Sequence, residues 1–140
     1  MEDGLRTFRA IAHGLVSSAA LLGAACGDQG PAGLGPCTAA VALSVGAGPQ
    51  PTLDWRPACA AASIMVTPAG EGGAVPVWAV MAPLGALTPP VRVGASPPGA
   101  QVFGAGVSLT PGAPYTVYVT RGGRGDPAAG VDSLTFTAQP

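Results

Sequence analysis

The chain has 140 residues and a formal net charge of −1, and 22 Gly with 16 Pro make up more than a quarter of it. So many interrupting residues exclude a helical bundle or coiled coil, while 48% apolar against 9% charged residues excludes ordinary disorder. Six Arg, no Lys and a near-neutral balance provide no basic patch, so nucleic acid is not an expected partner.

Residues 1–25 read as an export signal. Arg6 and Arg9 supply positive charge, diluted by Glu2 and Asp3, and a weakly apolar run from Gly14 to Ala25 follows. That run is too short to cross a hydrocarbon core, which needs ~20 residues. It closes as Leu22-Gly23-Ala24-Ala25-Cys26. Small residues ending at a cysteine resemble the lipobox of bacterial lipoproteins. The resemblance implies a diacylglyceryl group on the Cys26 thiol and cleavage before it. Gly23 stands where such motifs most often carry Leu, with Leu22 one position further back. Ala24-Ala25 also suits ordinary signal peptidase, which would leave a secreted soluble protein.

Residues 26–38 are expected to be a Gly/Pro-rich tether. Gly27 to Gly35 forms three collagen-like triplets, too few for a triple helix, and Pro36 follows at once. With Cys26 lipidated, Cys37 and Cys59 remain, an even number in an oxidising compartment. A bridge between them closes a loop of about 22 residues and stabilises by roughly 3 kcal/mol on the chain-entropy estimate. Two buried free thiols are the alternative.

From residue 39 onward short β-type runs alternate with turn signals. Ala40–Val45 places Val41, Leu43 and Val45 on one face, and Thr52–Trp55 does the same for Leu53 and Trp55. Ser63–Thr67 offers Ile64 and Val66, and Val75–Met81 is a denser apolar run around Trp78. Its surroundings, Gly72 to Val91, lack charge, but Pro76, Pro83, Pro89 and Pro90 exclude a membrane-spanning helix. Pro89–Gly94 and Gln101–Phe103 are weaker strands. Tyr115–Thr120 is the clearest, with Tyr115, Val117 and Val119 on one face. Val131–Thr137 closes the series with Leu134 and Phe136 inward. No segment after the signal keeps a 3.6-residue period. The pattern predicts an all-β protein, a single antiparallel β-sandwich over 39–140.

The segment Leu109-Thr110-Pro111-Gly112-Ala113-Pro114-Tyr115-Thr116-Val117-Tyr118-Val119 resembles the E–F corner of fibronectin type III domains, within the immunoglobulin-like class. There a Leu and a Pro/Gly turn precede a Tyr that opens an alternating strand, and the Tyr hydroxyl bonds backbone in the turn. The resemblance implies that Leu109 is the corner leucine, Tyr115 the corner tyrosine, and Val117 and Val119 core positions of strand F. It makes Trp55, in Leu53-Asp54-Trp55-Arg56-Pro57, the tryptophan near the end of strand B, and puts Leu134 and Phe136 on strand G. The departures are a missing tyrosine near strand C, a long proline-rich stretch over 83–98, and Cys59 in the B–C loop.

The only histidine, His13, lies in the signal, so the mature chain has neither His nor Lys. That inventory excludes Ser-His-Asp and Cys-His catalysis, Schiff-base chemistry and His-ligated zinc, and no Walker-type loop is present. The remaining acids, Asp28, Asp54, Glu71, Asp126 and Asp132, are scattered. Asp126 and Asp132 flank one hairpin and read as solvated turn residues. No catalytic residue, metal or cofactor is expected. Arg124-Gly125-Asp126 falls on the predicted F–G hairpin, where an exposed Arg and Asp suit integrin-type recognition, although Gly, Asp and Pro are also what a hairpin needs. Arg121-Gly122-Gly123 is a single turn rather than an RNA-binding repeat. If Trp78 and Tyr118 both face solvent, they form a platform for sugar rings.

The expectation is therefore a non-catalytic, monomeric envelope lipoprotein held to the membrane through lipid on Cys26. Its role is structural or protein-binding, with an unidentified envelope protein as partner. Glycan or cell-wall binding through exposed aromatics is the alternative.

Overall fold

The computed structural model describes residues 34–70, 75–82, 86–122 and 126–140. The predicted signal, Cys26, the first part of the tether, Glu71, Arg124 and Gly125 lie outside them. The described residues form β1 (Ala42–Val45), β2 (Thr52–Arg56), β3 (Ser63–Pro68), β4 (Trp78–Met81), β5 (Val91–Arg92), β6 (Gln101–Phe103), β7 (Pro114–Arg121) and β8 (Gly130–Thr137). They contain no helix.

Two antiparallel sheets result, one ordered β1-β2-β5 and the other β6-β4-β3-β7-β8. They do not close into a barrel, and one core cluster draws on both. In the larger sheet one inward row runs Val102, Val80, Ile64, Val119 and Asp132, and the next runs Trp78, Val66, Val117 and Leu134. The smaller sheet contributes Leu43 beside Trp55, and Leu53 between Val45 and Val91. Trp55, Ile64, Val66, Trp78, Val80, Val93 and Val119 are fully buried. At ~1.5–3 kcal/mol for each fully buried aliphatic side chain, these rows are the main source of stability.

The strands form where β-branched and aromatic residues recur at every second position. Val75–Val77, predicted to begin a strand, precede β4, which starts only at Trp78. The fastened chain also starts earlier than residue 39. Cys37 N–H donates to Ala60 O at 3.0 Å and Ala60 N–H to Gly35 O at 2.8 Å. Gly35–Cys37, expected to belong to the tether, are thus held against the domain.

Candidate functional site

Cys37 and Cys59 form a disulfide spanning 22 residues, with Cα atoms 4.8 Å apart. Cys37 is fully buried and Cys59 nearly so. The Cys59 carbonyl accepts the indole N–H of Trp55 at 2.9 Å, which satisfies the one polar atom of a buried ring. The bridge therefore joins the incoming chain, the 57–62 loop and the core of the smaller sheet.

The β7–β8 hairpin lies at the same end of the domain. Ala62 N–H, one residue before β3, donates to Thr120 O at 2.8 Å. At the hairpin base Arg121 Nε donates to Asp132 Oδ2 at 2.8 Å, and Arg121 Nη1 donates to Ala128 O at 3.1 Å. Both side chains of the ion pair are only 15% exposed. Asp132 Oδ2 also accepts Val41 N–H, at 3.2 Å, from the residue before β1. Asp132 is thus not a solvated turn residue: the alternation that turns Leu134 and Phe136 inward turns it inward as well. Opposite Arg121 stands Gly130, where any Cβ would collide with the guanidinium.

Of the Arg124-Gly125-Asp126 triplet, only Asp126 lies within the described residues. Its Oδ1 accepts Ala128 N–H at 2.8 Å, and its carbonyl accepts Ala129 N–H at 3.0 Å. A Cβ on Gly122 would come within 2.5 Å of the other carboxylate oxygen. The carboxylate is folded over its own turn, as Asp commonly does when it organises a hairpin.

At the opposite end, Thr110 N–H donates to the Tyr115 hydroxyl at 3.1 Å. Thr110-Pro111-Gly112-Ala113 is a tight turn closed by Ala113 N–H to Thr110 O at 3.1 Å, with Gly112 at φ +80° where a type II turn requires it. Leu109 and Tyr115 are buried, and the Tyr115 ring lies 6.1 Å from that of Phe136. Leu109 N–H reaches across to Pro49 O in the β1–β2 connection. Val117 and Val119 are buried in the core, with half-buried Leu134 and Phe136 packed against it.

The sugar-platform geometry is not present. Trp78 is fully buried, with its indole N–H 3.3 Å from Ala95 O, because β4 pairs it with Val66 in the inward phase. Tyr118 alone is on the outer face, half-buried, in a row reading Phe103, Ala79, Met65, Tyr118 and Ser133. Phe103 and the neighbouring Met81 are more than half exposed. An open groove of about 380 Å³ lies between Thr88–Arg92 and Ala95–Pro98, and among the described residues Arg92 is the one charged residue lining it.

Among the described residues no three His, Cys, Asp or Glu side chains come together, and no helix is long and apolar enough to cross a membrane. No family model, curated protein or solved structure matches the chain.

Proposed function

We propose that the chain is a non-catalytic, exported module, anchored to the cell envelope through lipid on Cys26, whose domain is an immunoglobulin-like sandwich of the fibronectin type III kind that binds protein. The observation that carries this reading is the Cys37–Cys59 bridge. Structural disulfides persist in oxidising compartments, which supports export. The sandwich assignment rests on the Tyr115–Thr110 corner bond and on the sheet order. The orders β1-β2-β5 and β3-β7-β8 support reading these strands as A, B, E and C, F, G of an immunoglobulin-like domain.

The bridge also bears on orientation. Gly35, whose carbonyl accepts Ala60 N–H, is nine positions after Cys26, and Gly35–Cys37 are fastened at the end that carries the 57–62 loop and the β7–β8 hairpin. Nine residues span at most ~32 Å when fully extended. A lipid on Cys26 keeps that end close to the bilayer. The opposite end, with the Tyr115 corner and the 46–51 connection, and the outer face of the larger sheet then face possible partners.

The test is the intact mass of the protein purified from its native membranes. A mass beginning at Cys26, carrying acyl chains and lacking two hydrogens for the bridge, is the expected result. A lipid-free mass with another start overturns the anchor. Free thiols at Cys37 and Cys59 remove the argument for export.

A further inference from the structure

Among the described residues β8 is the eight-residue outer strand of the larger sheet; no strand pairs with its far side, and β1 of the other sheet packs beside it, with Val41 N–H donating to Asp132 Oδ2. Its register determines which of its backbone groups lack a partner. Ala138 N–H donates to Ala113 O at 3.0 Å and Gly112 N–H to Ala138 O at 2.8 Å, so the even-numbered residues of this strand turn their N–H and C=O towards β7. By the alternation of an antiparallel ladder, Val131, Ser133, Thr135 and Thr137 turn theirs away from the sheet. The far side of β7 agrees: Thr120 O and Pro114 O accept from Ala62 and Ala69 on the β3 side.

A lone domain usually blunts such an edge with Lys, Pro, a bulge or an unpaired inward charge. Gly130–Thr137 has no Lys or Pro and pairs with β7 without interruption. Its one charge, Asp132, is inward but neutralised by Arg121. The exposed side chains of Val131, Ser133, Thr135 and Thr137 are small and uncharged. The remaining outer strands, β1, β5 and β6, have four, two and three residues.

We propose that β8 pairs with β8 of a second copy, antiparallel about a two-fold axis at Leu134, a proposal that rests on reading the domain as a protein-binding module. In this register Ser133 lies opposite Thr135 and Val131 opposite Thr137, so all four outward-facing residues of each copy find a partner. A shift by two residues leaves one of them unpaired. Leu134, half-buried at the core margin, meets its own copy, and the two Asp132 carboxylates each face Phe136 rather than one another. The strip is therefore self-complementary in hydrogen bonding and side-chain size, with no like charges opposed, as a two-fold interface requires.

The experiment is sedimentation velocity of the full chain with Cys26→Ser, from micromolar to millimolar concentration. A monomer–dimer equilibrium is expected. Ser133→Lys with Thr135→Lys, which opposes Lys to Lys in this register, should weaken it at least about tenfold. Leu134→Cys in the Cys26→Ser chain, without the Lys pair, should cross-link to itself under mild oxidation, and Met65→Cys at the centre of the outer face should not. A chain that stays monomeric at millimolar concentration overturns the proposal. So does a dimer indifferent to the Lys pair, or one that cross-links as fast through Met65→Cys. Monomeric behaviour with an intact fold by circular dichroism removes the self-pairing edge while leaving the anchored-module reading to its own test by mass.

Discussion

Arg121 and Asp132 hold the two sheets in register through one carboxylate oxygen. Asp132 Oδ2 accepts Arg121 Nε at 2.8 Å from the adjacent strand and Val41 N–H at 3.2 Å from the start of the other sheet. An acidic side chain on an inward face is costly unless its oxygens are satisfied, and here two donors converge on one of them.

Asp132→Ala is expected to destabilise the domain by about 3 kcal/mol, because it leaves the Arg121 guanidinium and Val41 N–H without their acceptor. Arg121→Ala should cost a similar amount, and the double variant less than the sum of the two. The exposed Arg56–Asp54 pair, with side chains 74% and 34% exposed, should give less than about 1 kcal/mol in the same urea-denaturation series. Equal costs at the two pairs would contradict the role given to Asp132.

Tyr115→Phe keeps the ring against Phe136 but removes the acceptor for Thr110 N–H. A loss of about 1–2 kcal/mol is expected, against about 3–5 kcal/mol for Tyr115→Ala, which also empties a buried site. Thermal unfolding followed by circular dichroism distinguishes the two terms. A neutral Tyr115→Phe would show that the hydroxyl bond contributes nothing net.

Reduction of Cys37–Cys59, or Cys37→Ser with Cys59→Ser, should remove roughly 3 kcal/mol. At about 4–8 °C per kcal/mol for a domain of this size, the midpoint should fall by at least ~12 °C. Protease cleavage within 34–38 should accelerate in the reduced protein, since that segment is otherwise held by the bridge and its bonds to Ala60.

Gly94→Ala and Gly99→Ala form a controlled comparison. Both glycines have positive φ, +81° and +74°, but a Cβ on Gly94 would lie 2.7 Å from Val107 O while one on Gly99 meets nothing within 4 Å. Gly99→Ala should cost about 1–2 kcal/mol from the left-handed backbone alone, and Gly94→Ala clearly more. Equal costs in denaturant titration would mean that the close approach to Val107 relaxes freely.

Much of the architecture was legible in the chain itself, because alternation reports a strand with one face buried. Tyr115, Val117 and Val119 stand two apart between polar neighbours, and β7 runs through them with those three buried. Ile64 and Val66, Leu53 and Trp55, and the pairing of the two cysteines after Cys26 are legible for similar local or arithmetical reasons. The Thr110–Ala113 turn before Tyr115 is as well, because its Pro-Gly chemistry is contiguous.

Tertiary structure decided what depends on phase and on distant partners. The run around Trp78 is apolar at nearly every position, so its inward phase was set only by pairing with Val66. Asp132 looked like a turn residue because its charge outweighs its spacing in a local reading. Its partners are Arg121, eleven residues away, and Val41, ninety-one residues away. That β8 has no strand paired to its far side among the described residues likewise follows from sheet order alone. Sequence periodicity carries the direction of a side chain within its own strand, whereas which strands become neighbours is fixed by burying the inner faces of both sheets in one core.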